Sequence, residues 1–307
     1  MKLHVLIFGR PERLSDVSKK DLNLLQVAAE NLGHKLEVIY SSDCQLVFGG
    51  KPSILIKNKK LDIKVLLVRA NFLGANVEFR TAIIKQFQIT GIPVVNDHLS
   101  VLKAKNKLRT MQSLGKAKVP VPKTYMLAST EYIDDAVEYI GKFPMILKTV
   151  TGSHGSGVSI IESKRGLRSI VELVMRNDGP APLMLQEYVK ESKGKDVRVF
   201  IVGKRILAAM ERIASNRNEF RSNFHLGGRV RVAEMTRKEK DVSFAAVSAI
   251  GLDMAGVDII RTSAGPKVLE VNANPGLEGI TLATGRDIAG EIIKHVVEVA
   301  KTKKKKK

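Results

Sequence analysis

The opening run from Leu3 to Phe8 is apolar apart from His4 and is closed by Gly9-Arg10-Pro11, which predicts a first β-strand. Leu22, Leu25, Ala28, Ala29 and Leu32 then recur at spacings of three and four, the period of an amphipathic helix. Strand-like runs at Leu36 to Tyr40 and Val65 to Arg69, a helix around Phe79 to Phe87 and a short Ile92-Pro93-Val94-Val95 run continue the alternation. Strand and helix in turn over residues 1 to 95 predict a small parallel α/β domain. Its first turn carries one glycine rather than Gly-x-Gly-x-x-Gly, so no dinucleotide site is expected there.

The pattern changes at about residue 96. A basic helix is expected over Leu99 to Leu114, after which Val119-Pro120-Val121-Pro122 forces extended chain. Strands are predicted at 124–127, 145–150, 158–162, 183–188, 197–202 and 206–213, with helices near 131–141 and 164–176. Sequential strands joined by short turns read as antiparallel sheet, so this part is α+β rather than a second doubly wound unit. An apolar stripe through Ile288, Ala289, Ile292, Ile293, Val296 and Val297 predicts a closing helix.

Charge adds a constraint. Lys and Arg number 51 against 31 Asp and Glu, a net +20, and six of the last seven residues are lysines. Residues 301–307 are expected to form a disordered basic arm, either solubilising or attracting acidic or nucleic-acid partners. The basic body could serve RNA directly, but five Tyr, ten Phe and no Trp leave few rings for base stacking. A single cysteine, Cys44, excludes an internal disulfide framework and a multi-cysteine zinc site, and fits the cytoplasm. No apolar run approaches the roughly eighteen residues of a membrane span.

Chemistry concentrates in three places. The first is Gly256-Val257-Asp258-Ile259-Ile260, a turn, and Val268-Leu269-Glu270-Val271-Asn272-Ala273-Asn274-Pro275-Gly276. A hairpin centred near Ala264 sets Asp258 opposite Glu270, and period-two alternation puts Asn272 on the same face. Two carboxylates so placed repel unless one is protonated or a cation lies between them, and Asp, Glu and Asn are hard oxygen ligands suited to Mg²⁺. Neutralising either acid is therefore expected to relieve the repulsion. The bland alternative is a set of solvent-facing polar positions.

The second is the strand Met145 to Val150, with Lys148 in phase with Ile146, followed by Thr151-Gly152-Ser153-His154-Gly155-Ser156-Gly157 and another strand. This is not a Walker loop, yet its backbone N–H groups could wrap phosphates and Lys148 could meet an anion; a plain hairpin turn is the alternative. The third comprises Gln186-Glu187-Tyr188, then Asp196 and Arg198 on one strand face, Glu211-Arg212 and Arg221-Ser222-Asn223. Each could be a surface ion pair; together they read as carboxylate and phosphate clamps. Cys44 lacks a His partner motif, so covalent nucleophilic catalysis has no support.

Asn106-Lys107-Leu108-Arg109, Lys148 before the glycine loop, Gln186-Glu187-Tyr188, Asp196-Val197-Arg198, Phe220-Arg221-Ser222-Asn223 and Glu270 to Gly276 occur in the order of the ATP-grasp superfamily. Their wording, with Gly256-Val257-Asp258-Ile259 and Leu277-Glu278-Gly279-Ile280, resembles the ribosomal-protein glutamate ligases of RimK type over nearly the whole chain. The resemblance implies a pre-ATP-grasp α/β domain (1–95) and a two-lobed ATP-grasp fold with antiparallel sheets. The lobes would be 96–185, with the glycine loop, and 186–300, with the metal site, before the 301–307 tail.

It further implies that Lys107 and Lys148 contact nucleotide phosphates, Glu187 and Tyr188 frame adenine, partly through backbone groups, and Asp196 holds ribose. Arg221, Ser222 and Asn223 would line the nucleotide and amino-acid site, and Asp258, Glu270 and Asn272 would bind Mg²⁺, with Mn²⁺ as a substitute. Arg198 and Arg212 would face the acyl phosphate or a substrate carboxylate. The implied substrates are ATP, glutamate and an acceptor carboxylate, first a ribosomal-protein tail, with a homo-oligomeric assembly expected. A relative acting on a small molecule, a carrier protein or free glutamate is the alternative within the class; a ribosome- or RNA-associated binding protein is the alternative outside it.

Overall fold

The structure, a computed structural model, describes residues 1–72, 76–150, 157–177, 182–215 and 228–304. The alternating N-terminal pattern becomes β1 (Lys2–Ile7), α1 (Asp16–Asn31), β2 (Lys35–Tyr40), the hairpin β3 (Cys44–Val47) and β4 (Ser53–Ile56), β5 (Leu66–Arg69), α2 (Val77–Ile89) and β6 (Val94–Val95). The four core strands form a parallel sheet in the order β2-β1-β5-β6. Ser15 caps α1 by accepting from the Ser18 N–H, which sets where the chain turns away from the sheet.

The basic segment expected as one helix is two, α3 (His98–Ala104) and α4 (Lys107–Lys116). The break has a local cause: the Asn106 side chain accepts from the Arg109 N–H and restarts the helix, while the Thr110 hydroxyl takes up the Lys103 carbonyl. Lys105 and Lys107 thereby lie at the junction instead of being spread along a continuous helix.

A second sheet follows, built from β7 (Thr124–Leu127), α5 (Ile133–Ile140), β8 (Met145–Thr149), β9 (Val158–Ile161), α6 (Lys164–Asn177) and β10 (Leu183–Glu187). It is antiparallel in the order β7-β10-β8-β9 and keeps its own core, in which Leu127, Leu147 and Leu185 pack on Ile133 of α5 and Leu167 of α6. The lobe divide expected at 185/186 falls inside β10, which pairs along its whole length with β8.

The third sheet contains β11 (Lys195–Val202), β12 (Arg205–Ile213), β13 (Arg229–Val232), then α7 (Arg237–Ile250), β14 (Met254–Ile260), β15 (Lys267–Asn272), α8 (Glu278–Thr284) and α9 (Ile288–Lys304). Its order is β13-β12-β11-β14-β15, antiparallel throughout. One face shares a core with the first sheet: Phe200 and Leu207 meet Ile292 and Val296 of α9 and Leu25 and Ala29 of α1. Each such large side chain removed from water contributes roughly 1.5–3 kcal/mol, so this interface holds the first and third sheets together. Lys301–Lys304 form the last turn of α9 rather than the start of a disordered arm, and residues 305–307 lie outside the described part.

The hairpin register matters most for function. Gly256 pairs with Asn272, Val257 with Val271 and Asp258 with Glu270, as the sequence spacing predicts. Beyond Asp258 the register slips by one residue, so Ile259 faces Val268 and Leu269 forms a bulge. Gly256 is required by packing: a Cβ there would lie 2.8 Å from Cβ of Pro275, so the Asn274-Pro275-Gly276 turn can fold back over the strand only because the position is bare.

Candidate active site

A cleft of about 1360 Å³ runs between the three sheets. Lys148 and Gln186 line it from the second sheet, Lys107 from the start of α4, and Asp196, Arg198, Arg212, Asp258, Glu270 and Asn272 from the third. Phe8, Asn71 and Phe72, beyond the C-terminal ends of β1 and β5, form the remaining side.

The buried charges of the third sheet answer one another. Asp258, 4% exposed, receives two bonds from Arg198, Nε to Oδ1 at 2.7 Å and Nη2 to Oδ2 at 2.7 Å, and one from Arg212 Nη2 at 2.8 Å. Arg212 also grips Asp196 through Nε and Nη2 at 2.6 and 2.7 Å. Burial opposes ionising Asp258, but the two guanidinium groups outweigh it and hold the carboxyl below the ordinary aspartate range. Burial likewise opposes charge on Arg212, and Asp258 and Asp196 more than reverse the effect. The Asp258/Glu270 repulsion read from the sequence is thus relieved by arginine. Both Asp196 oxygens accept from Arg212, so the carboxylate expected to hold ribose is oriented by that arginine on the cleft wall.

Glu270 makes no ion pair among the described residues. Its neighbour Asn272 satisfies its surroundings with the amide nitrogen donating to Glu270 Oε1 at 2.9 Å and the oxygen accepting from Arg198 Nη2 at 3.3 Å. Glu270, Asn272 and Asp258 therefore form one hard-oxygen edge on the cleft wall, a donor set that fits Mg²⁺. Among the described residues no three His, Cys, Asp or Glu side chains converge on a point, so an ion here would complete its shell with water or substrate oxygens.

Across the cleft, Lys148 Nζ donates to Gln186 Oε1 at 2.6 Å, and Gln186 is oriented in turn by donating to Thr124 Oγ1 at 2.9 Å. Withdrawal from water pushes the Lys148 ammonium down to about 8, with Lys107 adding to the drop and Glu270 and Asp258 opposing it. The turn into β9 depends on Gly157 at φ +70°, whose N-terminal neighbours 151–156, like Arg221, Ser222 and Asn223, lie outside the described residues.

Glu187 lines the cleft at the end of β10, and its side chain has a structural partner. Its Oε2 accepts from Lys267 Nζ at 2.9 Å and from the Lys123 N–H at 3.2 Å, so its carboxylate ties the end of β10 to β15. Tyr188 follows on the cleft wall, half-buried, and burial raises its hydroxyl. Sequence reading missed Lys105, whose position became visible only with the α3/α4 break. Burial pushes it down to about 8, Arg69 and Arg80 adding to the drop while Glu270 opposes it. The Asn106 capping signal could have revealed the break.

Solved structures show the fold. A RimK domain ATP-grasp protein of Sphaerobacter thermophilus superposes with a TM-score of 0.69 at 21% identity, covering 97% of this chain and 100% of that one. D-alanine–D-alanine ligase of Bacillus anthracis superposes with a TM-score of 0.73 at 20% identity, covering 100% and 99%. The fold is the ATP-grasp fold. Residues 104–296 match the RimK-like ATP-grasp domain, and a probable alpha-L-glutamate ligase of Aliivibrio fischeri is 37% identical over 282 residues, 91% of this chain and 92% of that protein. The chain belongs to the RimK-like ATP-grasp family and is an enzyme of the ligase type.

Proposed function

We propose that the protein uses ATP to join glutamate through its amine to an acceptor carboxylate, the C-terminal carboxylate of a ribosomal protein being the acceptor of choice. The observation that carries the reading is the hard-oxygen edge of Asp258, Glu270 and Asn272 sharing one cleft with Lys148 and Lys107. Anion-binding and cation-binding surfaces face each other there, as a bound nucleotide triphosphate with Mg²⁺ or Mn²⁺ requires. The name of the Aliivibrio fischeri relative supports glutamate as the incoming amino acid.

A carboxylate is a poor electrophile. An acceptor oxygen would attack the γ-phosphorus, releasing ADP and forming an acyl phosphate. The amine nitrogen of glutamate would then attack the acyl carbon, phosphate would leave with the bonding pair, and the amine would shed its proton. Lys107 and Lys148 hold the phosphates, and Arg198 stands at the cleft face beside the developing negative charge. Arg212 and Asp196 keep Arg198 and Asp258 in place, which is the work this reading gives them. Glu270, Asn272 and Asp258 would hold a divalent ion, which would supply charge neutralisation at the transferred phosphoryl group. Tyr188 and the backbone beside Glu187 border the base.

The test is ADP release by purified protein with ATP, Mg²⁺ and glutamate, with and without candidate acceptors, followed by mass spectrometry of ribosomal proteins from cells with and without this chain. A ladder spaced by one glutamyl residue on one ribosomal protein is expected. Acceptor-independent ADP release with no mass ladder would refute the acceptor assignment.

A further inference from the structure

The side of the cleft formed by the first sheet carries charges that the nucleotide reading does not use. Phe72, 1% exposed, stacks edge-on against Phe8 with ring centroids 4.6 Å apart. Over its ring lie Arg80, Cζ 5.5 Å from the centroid, and Lys105, Nζ 5.1 Å away. The ring's negative face steadies both cations where their mutual repulsion and partial burial would otherwise splay them apart. Arg10 and Arg13, exposed in the turn after β1, extend the basic lining.

Among the described residues none of these four cations makes an ion pair, although Glu270 lies near enough to Lys105 to favour its charge. Asp21, which lines the same part of the cleft, is committed to Arg69 Nη2 at 2.7 Å and to the Leu277 N–H at 3.0 Å. The cleft, at about 1360 Å³, also exceeds the roughly 300–1,000 Å³ of a site for one small ligand. It therefore has room for a second, elongated substrate beside a nucleotide.

We propose that Arg80 and Lys105, braced on Phe72, form a carboxylate-binding station for the acceptor chain, which leaves the cleft past Arg10 and Arg13 and is read as an acidic peptide. The inference rests on the ligase reading and adds to it the residues that select the acceptor. Paired cations in a partly dry cleft bind carboxylates through short charge-assisted bonds. Phe72 lies beneath the cations and presents no face for a nucleic-acid base to stack on, which favours peptide over RNA.

The experiment is fluorescence anisotropy with a labelled tetraglutamate peptide, a tetraglutamine control and a labelled single-stranded RNA, using full-length protein at about 0.15 M salt. Wild type is expected to bind tetraglutamate and not tetraglutamine. Arg80→Gln with Lys105→Gln should weaken the acidic peptide about tenfold or more, while Arg80→Lys with Lys105→Arg retains binding; unchanged melting profiles would establish that the variants fold. Phe72→Leu should give an intermediate loss, because the charges remain but their brace is gone. Equal binding by wild type and the double Gln variant, no binding by wild type, or tighter Arg80- and Lys105-dependent capture of RNA would overturn the proposal. Peptide binding without glutamate-dependent ADP release would count against the ligase reading while supporting the station.

Discussion

Replacing Asp258 by Asn discriminates between two accounts of the hairpin. On spacing alone, Asp258 and Glu270 repel and neutralising either should help the fold. In the structure Asp258 accepts three guanidinium bonds at 2.7–2.8 Å while 4% exposed. Breaking a buried ion pair from one side costs about 3–5 kcal/mol. Here Arg212 keeps its grip on Asp196 and Arg198 retains 18% exposure to the cleft, which places the loss near the lower end, about 3 kcal/mol. At about 2–4 °C per kcal/mol for a chain of this size, Asp258→Asn should melt roughly 6–12 °C below wild type at pH 7. Glu270→Gln should stay within about 1 kcal/mol, because Glu270 makes no ion pair among the described residues. Both should lose ligation.

The pH dependence follows from the sign of the shift. The folded Asp258 carboxyl sits below its ordinary value of 3.8, so its stabilisation is complete above that pH and is lost as pH falls toward the folded value. The melting gap between wild type and Asp258→Asn should therefore be full at pH 7 and shrink below about pH 4. Thermal melts by circular dichroism from pH 3 to pH 8 make the measurement. Equal melting temperatures at pH 7, or a more stable Asp258→Asn protein, would refute the arginine-clamp account.

Three further outcomes are expected. Lys148, pushed down to about 8, is mostly charged at pH 7 and must take up a proton to meet phosphate at higher pH; ATP affinity by calorimetry should weaken toward tenfold per pH unit above about 8, and Lys148→Arg should flatten that profile. Lys148→Ala should raise the ATP KM far more than Lys301→Ala, which removes an exposed charge from the end of α9; equal effects in steady-state kinetics would contradict the placement of Lys148. Gly157→Ala should destabilise the β8–β9 turn by about 1 kcal/mol or more, since φ is +70° and the new Cβ would collide with Thr149 Oγ1, and a melting temperature unchanged from wild type would count against the turn as described.

Period-two alternation made the Asp258/Glu270 opposition legible, because a hairpin with one buried face has little freedom of register. The slip at Leu269 was not legible, since a bulge depends on packing of both strands. The same limit hid the arginine clamp: Arg198 and Asp258 are 60 residues apart in the chain, and only the pairing of β11 with β14 sets them side by side. Helix α7 escaped because its buried side is built from Ser243, Ala246, Val247 and Ile250, a weak stripe, although Thr236 and Glu239 form a capping box that announces its start. The hairpin of β3 and β4 had a comparable signal in Gly49-Gly50. Phe72, Arg80 and Lys105 carry no local signature; their meeting is a product of the tertiary fold.

The central claim is that this cleft makes an amide through an acyl phosphate formed on the acceptor. Ligation of glutamate to an acidic acceptor peptide whose terminal carboxylate carries ¹⁸O at both oxygens, with mass analysis of the released phosphate, tests it most directly. One labelled oxygen should pass to phosphate for each amide formed, because the carboxylate oxygen that attacks the γ-phosphorus leaves with it. Amide formation with unlabelled phosphate would contradict the account.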